Sequence, residues 1–263
     1  MKSQVCRSFY YLDYILRSRH RKGRGIHSPF VYEFVSNVLF DTAKHPEYVL
    51  ANQIREELIT SGISLPGGTF GAGSVHPEKG SRKIRDMVRY SSVQPKFGEL
   101  LFRIAKYYKP LVVAELGTSI GVSTFYLAKG APKAEIISID GNIAVCDYAR
   151  SLFKKHHINN VSVVNEQFDD YLPYFNNHYP APGVVFIDGN HTYESTLKYF
   201  HHFSKLVPEG FLLFDDINWS PGMHRAWKEI KADPSSQVTI DLFFIGIVIR
   251  QKSITPGHYT IRF

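Results

Sequence analysis

The feature that most constrains the fold is a short apolar segment followed by a glycine loop. Val112–Leu116 is apolar except for Glu115, and glycines follow at 117 and 121. Such a β-branched apolar run is typical of a strand buried in a parallel sheet, and the residues after Gly121 have helical spacing. The glycines allow a sharp turn and a close approach of the backbone to a ligand. The pattern predicts strand, turn and helix, with N–H groups at the helix start that suit an anionic or carboxylate-bearing ligand.

A second apolar run, Glu135–Ile139, ends in Asp140. An acid at the tip of the second strand of an open α/β sheet is placed to accept the hydroxyls of a ribose, so the pattern indicates a cofactor that contains a nucleoside. A dinucleotide fingerprint has three glycines in the order Gly-x-Gly-x-x-Gly. Here Glu115 precedes only Gly117 and Gly121. A nicotinamide or other nucleotide, and a purely structural turn, stay open as alternatives.

The order Glu115-x-Gly117-x-x-x-Gly121 resembles motif I of the class I S-adenosylmethionine (SAM) methyltransferases. That resemblance implies a site in which motif I lies against SAM and the acid after the second strand holds its ribose. The residues just after the third strand are placed to hold the adenine. The resulting cofactor-binding residues are Glu115, Gly117, Ser119, Gly121, Asp140, Gln167, Phe168 and, at the end of the fourth strand, Asp188.

From residue 111 onward, segments with strand and helix patterns alternate. The alternation predicts an α/β fold, a Rossmann-like doubly wound sheet of seven strands. The closing strand pair, Val238–Phe244 and Gly246–Arg250, is similar to the reversed hairpin of the class I methyltransferase fold, and His258–Phe263 is a candidate extra edge strand. We expect residues 1–95 to form an N-terminal helical extension or lid with a glycine-rich loop at 65–74, and residues 96–263 to form the SAM-binding core.

Acids also follow the fourth and fifth predicted strands. Asp188 ends one strand, and Asp215 and Asp216 end the next. Since neighbouring strands lie about 4.8 Å apart, these carboxylates are expected to converge, and their mutual repulsion favours a divalent cation such as Mg²⁺. His191 follows closely and titrates near neutral pH, so it is the candidate general base, with Asp188 beside it as the second candidate catalytic residue.

The segment from Asp188 to Thr196, together with Asp215-Asp216, resembles the metal-dependent small-molecule O-methyltransferases of the catechol and macrocin types. The resemblance implies that Asp188, Asp215 and Asp216 are metal ligands. The macrocin group has a second acid where Asn190 stands, and its absence leaves the role of base to His191. Two alternatives stay open: Asp188 binds the amino group of SAM, and the Asp215-Asp216 pair caps backbone N–H groups.

The net charge of +7 is concentrated at the N-terminus, because residues 1–25 carry seven basic side chains and one acid. The basic arm, Arg17–Arg24, suits RNA, an anionic membrane surface or an acidic substrate, and a plain solvated helix end explains it equally well. Cys6 and Cys146 offer neither a disulfide framework nor a metal-binding spacing. No apolar run is long enough to span a membrane and no signal peptide is recognisable, so a cytoplasmic location is expected.

The sequence therefore predicts a SAM-dependent O-methyltransferase that acts on a hydroxyl of a small molecule with the help of a divalent metal. One alternative is an RNA methyltransferase that binds phosphates through the basic arm and the Arg82–Arg89 helix. Nucleic acid is disfavoured because the rest of the chain is nearly neutral and has no Asn/Asp-Pro-Pro-Tyr tetrad. A non-catalytic SAM- or nucleotide-binding protein is the other alternative. The oligomeric state is left open, with a homodimer among the choices.

Overall fold

The computed structural model describes residues 2–18, 23–66 and 80–263. The chain forms two compact units. The terminal unit combines Met1–Asp41 with Pro182–Phe263, and the central unit is Thr42–Ala181. The division at residue 95 that the sequence suggests stays a prediction.

Two helices open the terminal unit, α1 (Lys2–Arg17) and α2 (Pro29–Phe34), and α2 continues into a π-helical turn, Val35–Leu39. The start of α2 has a local explanation in the sequence. The Ser28 hydroxyl accepts the N–H of Val31 at 3.5 Å, and Pro29 occupies the first turn, where its missing N–H costs nothing. Buried aromatic packing then joins α2 to the sheet of this unit, with the rings of Phe34 and Phe211 stacked 5.2 Å apart.

The central unit begins with helices and a small hairpin and continues as alternating strands and helices. Its elements are α3 (Pro46–Thr60), β1 (Ser64–Pro66), β2 (Ser81–Lys83), α4 (Ile84–Tyr90), α5 (Pro95–Tyr108), β3 (Val112–Leu116), α6 (Val122–Gly130), β4 (Glu135–Asp140), α7 (Ile143–Lys155), β5 (Val161–Asn165) and α8 (Phe168–His178). Strands β3, β4 and β5 pair in parallel in that order, and every residue of β3 is buried. A buried parallel strand therefore feeds the glycine turn, as predicted.

The chain then returns to the terminal unit. Its elements are β6 (Val184–Ile187), α9 (Tyr193–Leu206), β7 (Gly210–Phe214), α10 (Pro221–Ala232), β8 (Val238–Asp241), β9 (Gly246–Arg250) and β10 (Gly257–Thr260). Strand β7 is parallel to β6 and antiparallel to β9, while β8 is antiparallel to β9 and parallel to β10. The reversed strand pair expected near the C-terminus is thus present.

The predicted α/β fold is confirmed, but the number of strands is wrong. Among the described residues the main sheet has eight strands rather than seven, and β1 and β2 form a separate pair. The additional strand is β10, which hydrogen-bonds along β8 and so covers backbone groups that would otherwise form an open edge. The sequence pattern also predicts a helix from Lys79 to Tyr90. Lys79 lies outside the described residues, and α4 begins at Ile84 because Ser81–Lys83 pairs with β1.

Candidate active site

The glycine turn after β3 has the backbone geometry that only glycine adopts easily. Gly117 and Gly121 have φ angles of 110° and 85°, and Ser119 also lies in the left-handed region at 45°. Gly121 precedes the first residue of α6, and a Cβ atom at this position would lie 2.7 Å from Cζ of Phe153. Backbone conformation therefore favours glycine at both positions, and close packing against α7 also requires it at Gly121.

Asp140 lies beside this turn and holds it in place. Its Oδ2 accepts the N–H of Ser119 at 3.0 Å, and its Oδ1 accepts the N–H of Asn142 at 2.9 Å. The turn is further fixed by β4, because the Gly117 N–H donates to the Ile139 carbonyl at 2.9 Å. The structure thus brings together three of the predicted cofactor-binding residues, Gly117, Ser119 and Asp140. The contact of Asp140 with a ribose stays a prediction.

Glu115 lies beneath the turn and is fully buried. Its Oε2 accepts hydrogen bonds from the hydroxyls of Thr124 at 2.5 Å and Ser138 at 2.6 Å, and the Ser138 hydroxyl also pairs with that of Thr118 at 2.6 Å. The carboxylate therefore ties β3 to α6 and β4. The motif reading missed these three hydroxyl residues, although each stands in or beside an element that the sequence predicts. A direct contact of Glu115 with SAM stays a prediction.

Gln167 and Phe168 follow β5, at the start of α8. A Cβ atom added to Gly141 would lie 2.5 Å from Nε2 of Gln167, so this amide packs directly on the backbone that follows Asp140. Phe168 is half-buried. The structure places Gln167 next to the residue after the predicted ribose acid, and the adenine contacts of both side chains stay predictions.

The predicted convergence of acids is visible in the terminal unit. Asp188 follows β6 and Asp215 follows the parallel neighbour β7, where the Asp215 N–H donates to the Ile187 carbonyl at 3.0 Å. Burial raises the pKa of Asp215 well above its ordinary value, and the charges of Asp188 and Asp216 raise it further. Burial also raises the pKa of Asp216, and Asp188 adds to the rise, while His191 opposes it. These mutual effects indicate that the three carboxylates share one small region.

His191 contacts this cluster through Asp188. Its Nε2 lies 3.4 Å from Oδ1 of Asp188. Burial alone would lower the pKa of His191, but the hydrogen bond and charge of Asp188, with the charge of Asp216, outweigh burial and raise it. Asn190, which stands where the resembled group has an acid, instead donates from Nδ2 to the Tyr199 hydroxyl at 2.6 Å. The structure therefore places His191, not residue 190, in contact with the carboxylates.

Oxygen donors of this kind suit Mg²⁺. However, no group of three or more His, Cys, Asp or Glu side chains arranged to hold a metal ion occurs in the part of the chain that the structure describes. The donor chemistry of Asp188, Asp215 and Asp216 fits a hard cation, while their arrangement does not form a coordination site. Metal binding by these three residues stays a prediction.

Comparisons with known proteins agree with this geometry. Residues 114–217, which run from β3 past the Asp215-Asp216 pair, match a family model described as a methyltransferase domain. No curated protein matches the chain. Among solved structures, an O-methyltransferase from Bacillus cereus in complex with S-adenosylhomocysteine (SAH) is 19% identical, with 84% of this chain and 97% of that chain covered and a TM-score of 0.55. The fold is that of a class I SAM-dependent methyltransferase.

Two further structures support this likeness. The O-methyltransferase TomG from Streptomyces achromogenes, solved with SAM, is 16% identical, covers 84% of this chain and 95% of its own, and has a TM-score of 0.54. The SAH-bound methyltransferase PaMTH1 from Podospora anserina is 13% identical, with 86% and 97% covered and a TM-score of 0.56. The predicted resemblance to class I O-methyltransferases is thereby confirmed at the level of the fold.

Nothing in the sequence indicates that α1 lies near the paired acids. The guanidinium of Arg7 lies over the ring of Trp219, 4.8 Å from its centroid, and its charge opposes the rise in the pKa of Asp216. Tyr10 stacks on His224 at 3.8 Å, and Nδ1 of His224 pairs with Oδ1 of Asn218 at 2.6 Å. Helix α1 therefore contacts the loop that follows the paired acids.

Several other features of the sequence lie away from the glycine turn and the paired acids, or outside the described residues. The pattern around α10 allows Trp227 and Met223 either to line an acceptor pocket or to pack in the core; both are buried, and the Trp227 indole donates to Asp241 at 2.8 Å, so they belong to the core. Residues 19–22 of the basic arm and 67–74 of the glycine-rich loop lie outside the described residues. Cys6 and Cys146 are both free. Among the described helices, none combines the length and the apolar character needed to cross a membrane.

Proposed function

We propose that this chain is a SAM-dependent O-methyltransferase that transfers a methyl group to a hydroxyl of a small molecule. The observation that carries the proposal is the contact between His191 and Asp188, with Nε2 and Oδ1 separated by 3.4 Å, next to Asp215 and Asp216. A histidine held by a carboxylate is a common general base, because the carboxylate orients the ring and stabilises its protonated form. A hydroxyl needs such a base, since its proton must leave when the new bond forms.

The methyl donor is held, in this proposal, by the turn after β3 and by Asp140. Each oxygen of the Asp140 carboxylate accepts one backbone N–H, and each has a further lone pair with which to accept a ribose hydroxyl. Gln167 and Phe168 would then contact the adenine. When bound, SAM supplies a methyl group activated by the positive charge on sulfur.

His191 supplies the proton acceptor. Because its Nε2 faces Asp188, the acceptor hydroxyl gives its proton to Nδ1, and Asp188 stabilises the imidazolium that results. The acceptor oxygen attacks the methyl carbon in line with the carbon–sulfur bond, a C–O bond forms, and the electron pair of the broken bond stays on sulfur. The products are a methyl ether, neutral SAH and a proton held on His191.

Metal assistance is a separate part of the proposal, and no step above depends on it. Its support is the group of carboxylates Asp188, Asp215 and Asp216. Burial raises the pKa of Asp215 and of Asp216, and the charge of Asp188 raises both further, so a bound cation would favour their charged forms. Titration of Mg²⁺ into chelator-treated protein tests it directly. Heat of binding that disappears in Asp215→Asn supports the metal site, and the absence of binding in the wild type contradicts it.

The function is tested by measuring SAH release with a panel of hydroxylated aromatic and sugar acceptors. His191→Gln is expected to lower turnover by about a hundredfold or more while leaving SAH affinity unchanged. His201→Gln is the matched control, because His201 lies on the exposed side of α9 with its ring near Asp233. Equal turnover in the two variants would exclude His191 as the base. Intact SAH binding without turnover on any acceptor would favour a non-catalytic SAM-binding protein.

A further inference from the structure

Helix α1 presents apolar side chains on two opposite faces. One face packs within the terminal unit, where Tyr14 is buried and donates from its hydroxyl to the Ile261 carbonyl at 2.6 Å, and Tyr10 stacks on His224. These contacts hold α1 against the rest of the terminal unit by one face only. They do not account for the apolar residues on the opposite face.

The opposite face carries a row of exposed large apolar residues. Phe9, Leu12 and Leu16 are 66%, 58% and 78% exposed, and their spacing of three and four residues places them in one stripe along the helix. Scattered single apolar residues on a surface are ordinary, but a contiguous apolar stripe usually marks a contact site. We call these three residues the α1 stripe.

Positive charge follows the α1 stripe directly. Arg17 ends α1 with an exposed side chain that pairs with Asp13 at 2.7 Å. Such an exposed ion pair contributes little and is readily exchanged for a phosphate. Arg24 is exposed as well. By sequence, residues 1–25 hold seven basic side chains and one acid, out of a net charge of +7 for the whole chain. An apolar helix face next to a concentration of basic residues is the combination that binds anionic lipid surfaces.

We propose that α1 lies in the headgroup region of an anionic membrane, with Phe9, Leu12 and Leu16 inserted between lipid chains and with Arg17 and Arg24 on the lipid phosphates. RNA would engage the positive charge but leave the apolar stripe in water. A second copy of the chain would need about 800 Å² of buried surface from each partner, far more than three side chains provide. The proposal is independent of the methyl transfer described above.

The test is flotation of the full chain with phospholipid vesicles. The wild type is expected to bind vesicles that contain about 30% phosphatidylglycerol and to bind phosphatidylcholine vesicles much more weakly. Raising the salt from about 0.1 M to about 0.5 M should weaken the binding, because the phosphate contacts are screened. Leu12→Ser/Leu16→Ser should reduce binding to the anionic vesicles by about tenfold or more, since each leucine loses its insertion into the lipid.

The matched control is Val49→Ser/Leu111→Ser, which removes two other apolar side chains that are more than half exposed, both in the central unit. This control should bind like the wild type, and the melting temperatures of both variants should match. Failure of the wild type to bind anionic vesicles, or equal binding by the α1 stripe variant, overturns the proposal. Salt-dependent binding to single-stranded RNA in place of vesicles, or a dimer that the α1 stripe variant abolishes, also overturns it.

Discussion

Substitution of Gly121 by alanine probes the turn on which the cofactor site depends. Gly121 has a φ of 85°, and an added Cβ would lie 2.7 Å from Cζ and 2.9 Å from Cε1 of Phe153, a buried ring of α7. The left-handed conformation costs an alanine about 1–2 kcal/mol, and overpacking of a buried site costs about 1–3 kcal/mol. Gly121→Ala is therefore expected to lower the free energy of unfolding by about 2–5 kcal/mol, a large part of the roughly 5–15 kcal/mol typical of a folded protein.

Urea unfolding followed by tryptophan fluorescence measures this loss, and two further variants separate its causes. Gly62→Ala is the control, because Gly62 has no atom within 4 Å of the added methyl group and its φ is not positive, so its change should stay within about 0.5 kcal/mol. Phe153→Leu shortens the opposing ring. The double variant Gly121→Ala/Phe153→Leu should lose about 1–2 kcal/mol less unfolding free energy than the sum of the losses in the two single variants. Strictly additive costs, or a Gly121→Ala cost no larger than that of Gly62→Ala, would refute the reasoning.

Three other predictions concern single side chains. The pKa of His224 is lowered to about 4, first by burial and then by nearby lysines. Between pH 6.5 and pH 4 the imidazole is therefore protonated in the unfolded chain and neutral in the folded chain. As pH falls from 6.5 to 4, the wild type should lose about 1–2 kcal/mol of stability more than His224→Gln in calorimetric melts, a figure already reduced for partial exposure. Thr124→Val should cost about 1.5–3 kcal/mol in urea unfolding, because the buried Glu115 carboxylate loses a hydrogen bond that Thr124→Ser would keep. Arg7→Met should lower turnover about fivefold through the lost charge near Asp216, with SAH affinity unchanged and activity retained in Arg7→Lys; a uniform loss in both variants would point to folding instead.

The parts of the fold that local pattern determines were predictable from sequence. A buried parallel strand must be apolar on both faces, and a turn with positive φ favours glycine, so β3 and Gly121 are recognisable before any contact is known. The cap of α2 by Ser28 and Pro29 is equally local. For the same reason Asp140 was placed correctly at the end of β4, next to the turn.

Features that depend on distant parts of the chain were not predictable in this way. The start of α4 is set by the pairing of Ser81–Lys83 with β1. The candidate edge strand at His258–Phe263 is found at Gly257–Thr260, and its bounds and its place beside β8 are set by pairing with that strand. The contact of Arg7 with Trp219 joins opposite ends of the sequence, and no spacing rule connects them. The hydroxyl partners of Glu115 follow from the packing of three elements around one buried carboxylate, which a motif does not describe.

The central claim is that the turn after β3 and Asp140 hold SAM. Asp140 also orders the turn through the Ser119 N–H, so a substitution there changes the turn as well as the ribose contact. The most direct measurement therefore compares two ligands, with and without the ribose hydroxyl, in the wild type and in the variant. Calorimetry with SAH and with its 2′-deoxyribose analogue should show a preference of about tenfold or more for SAH in the wild type, reflecting one hydrogen bond to a charged group, and a much smaller preference in Asp140→Asn. An unchanged preference in the variant, or tight binding of NAD⁺ in place of SAH, would contradict the account.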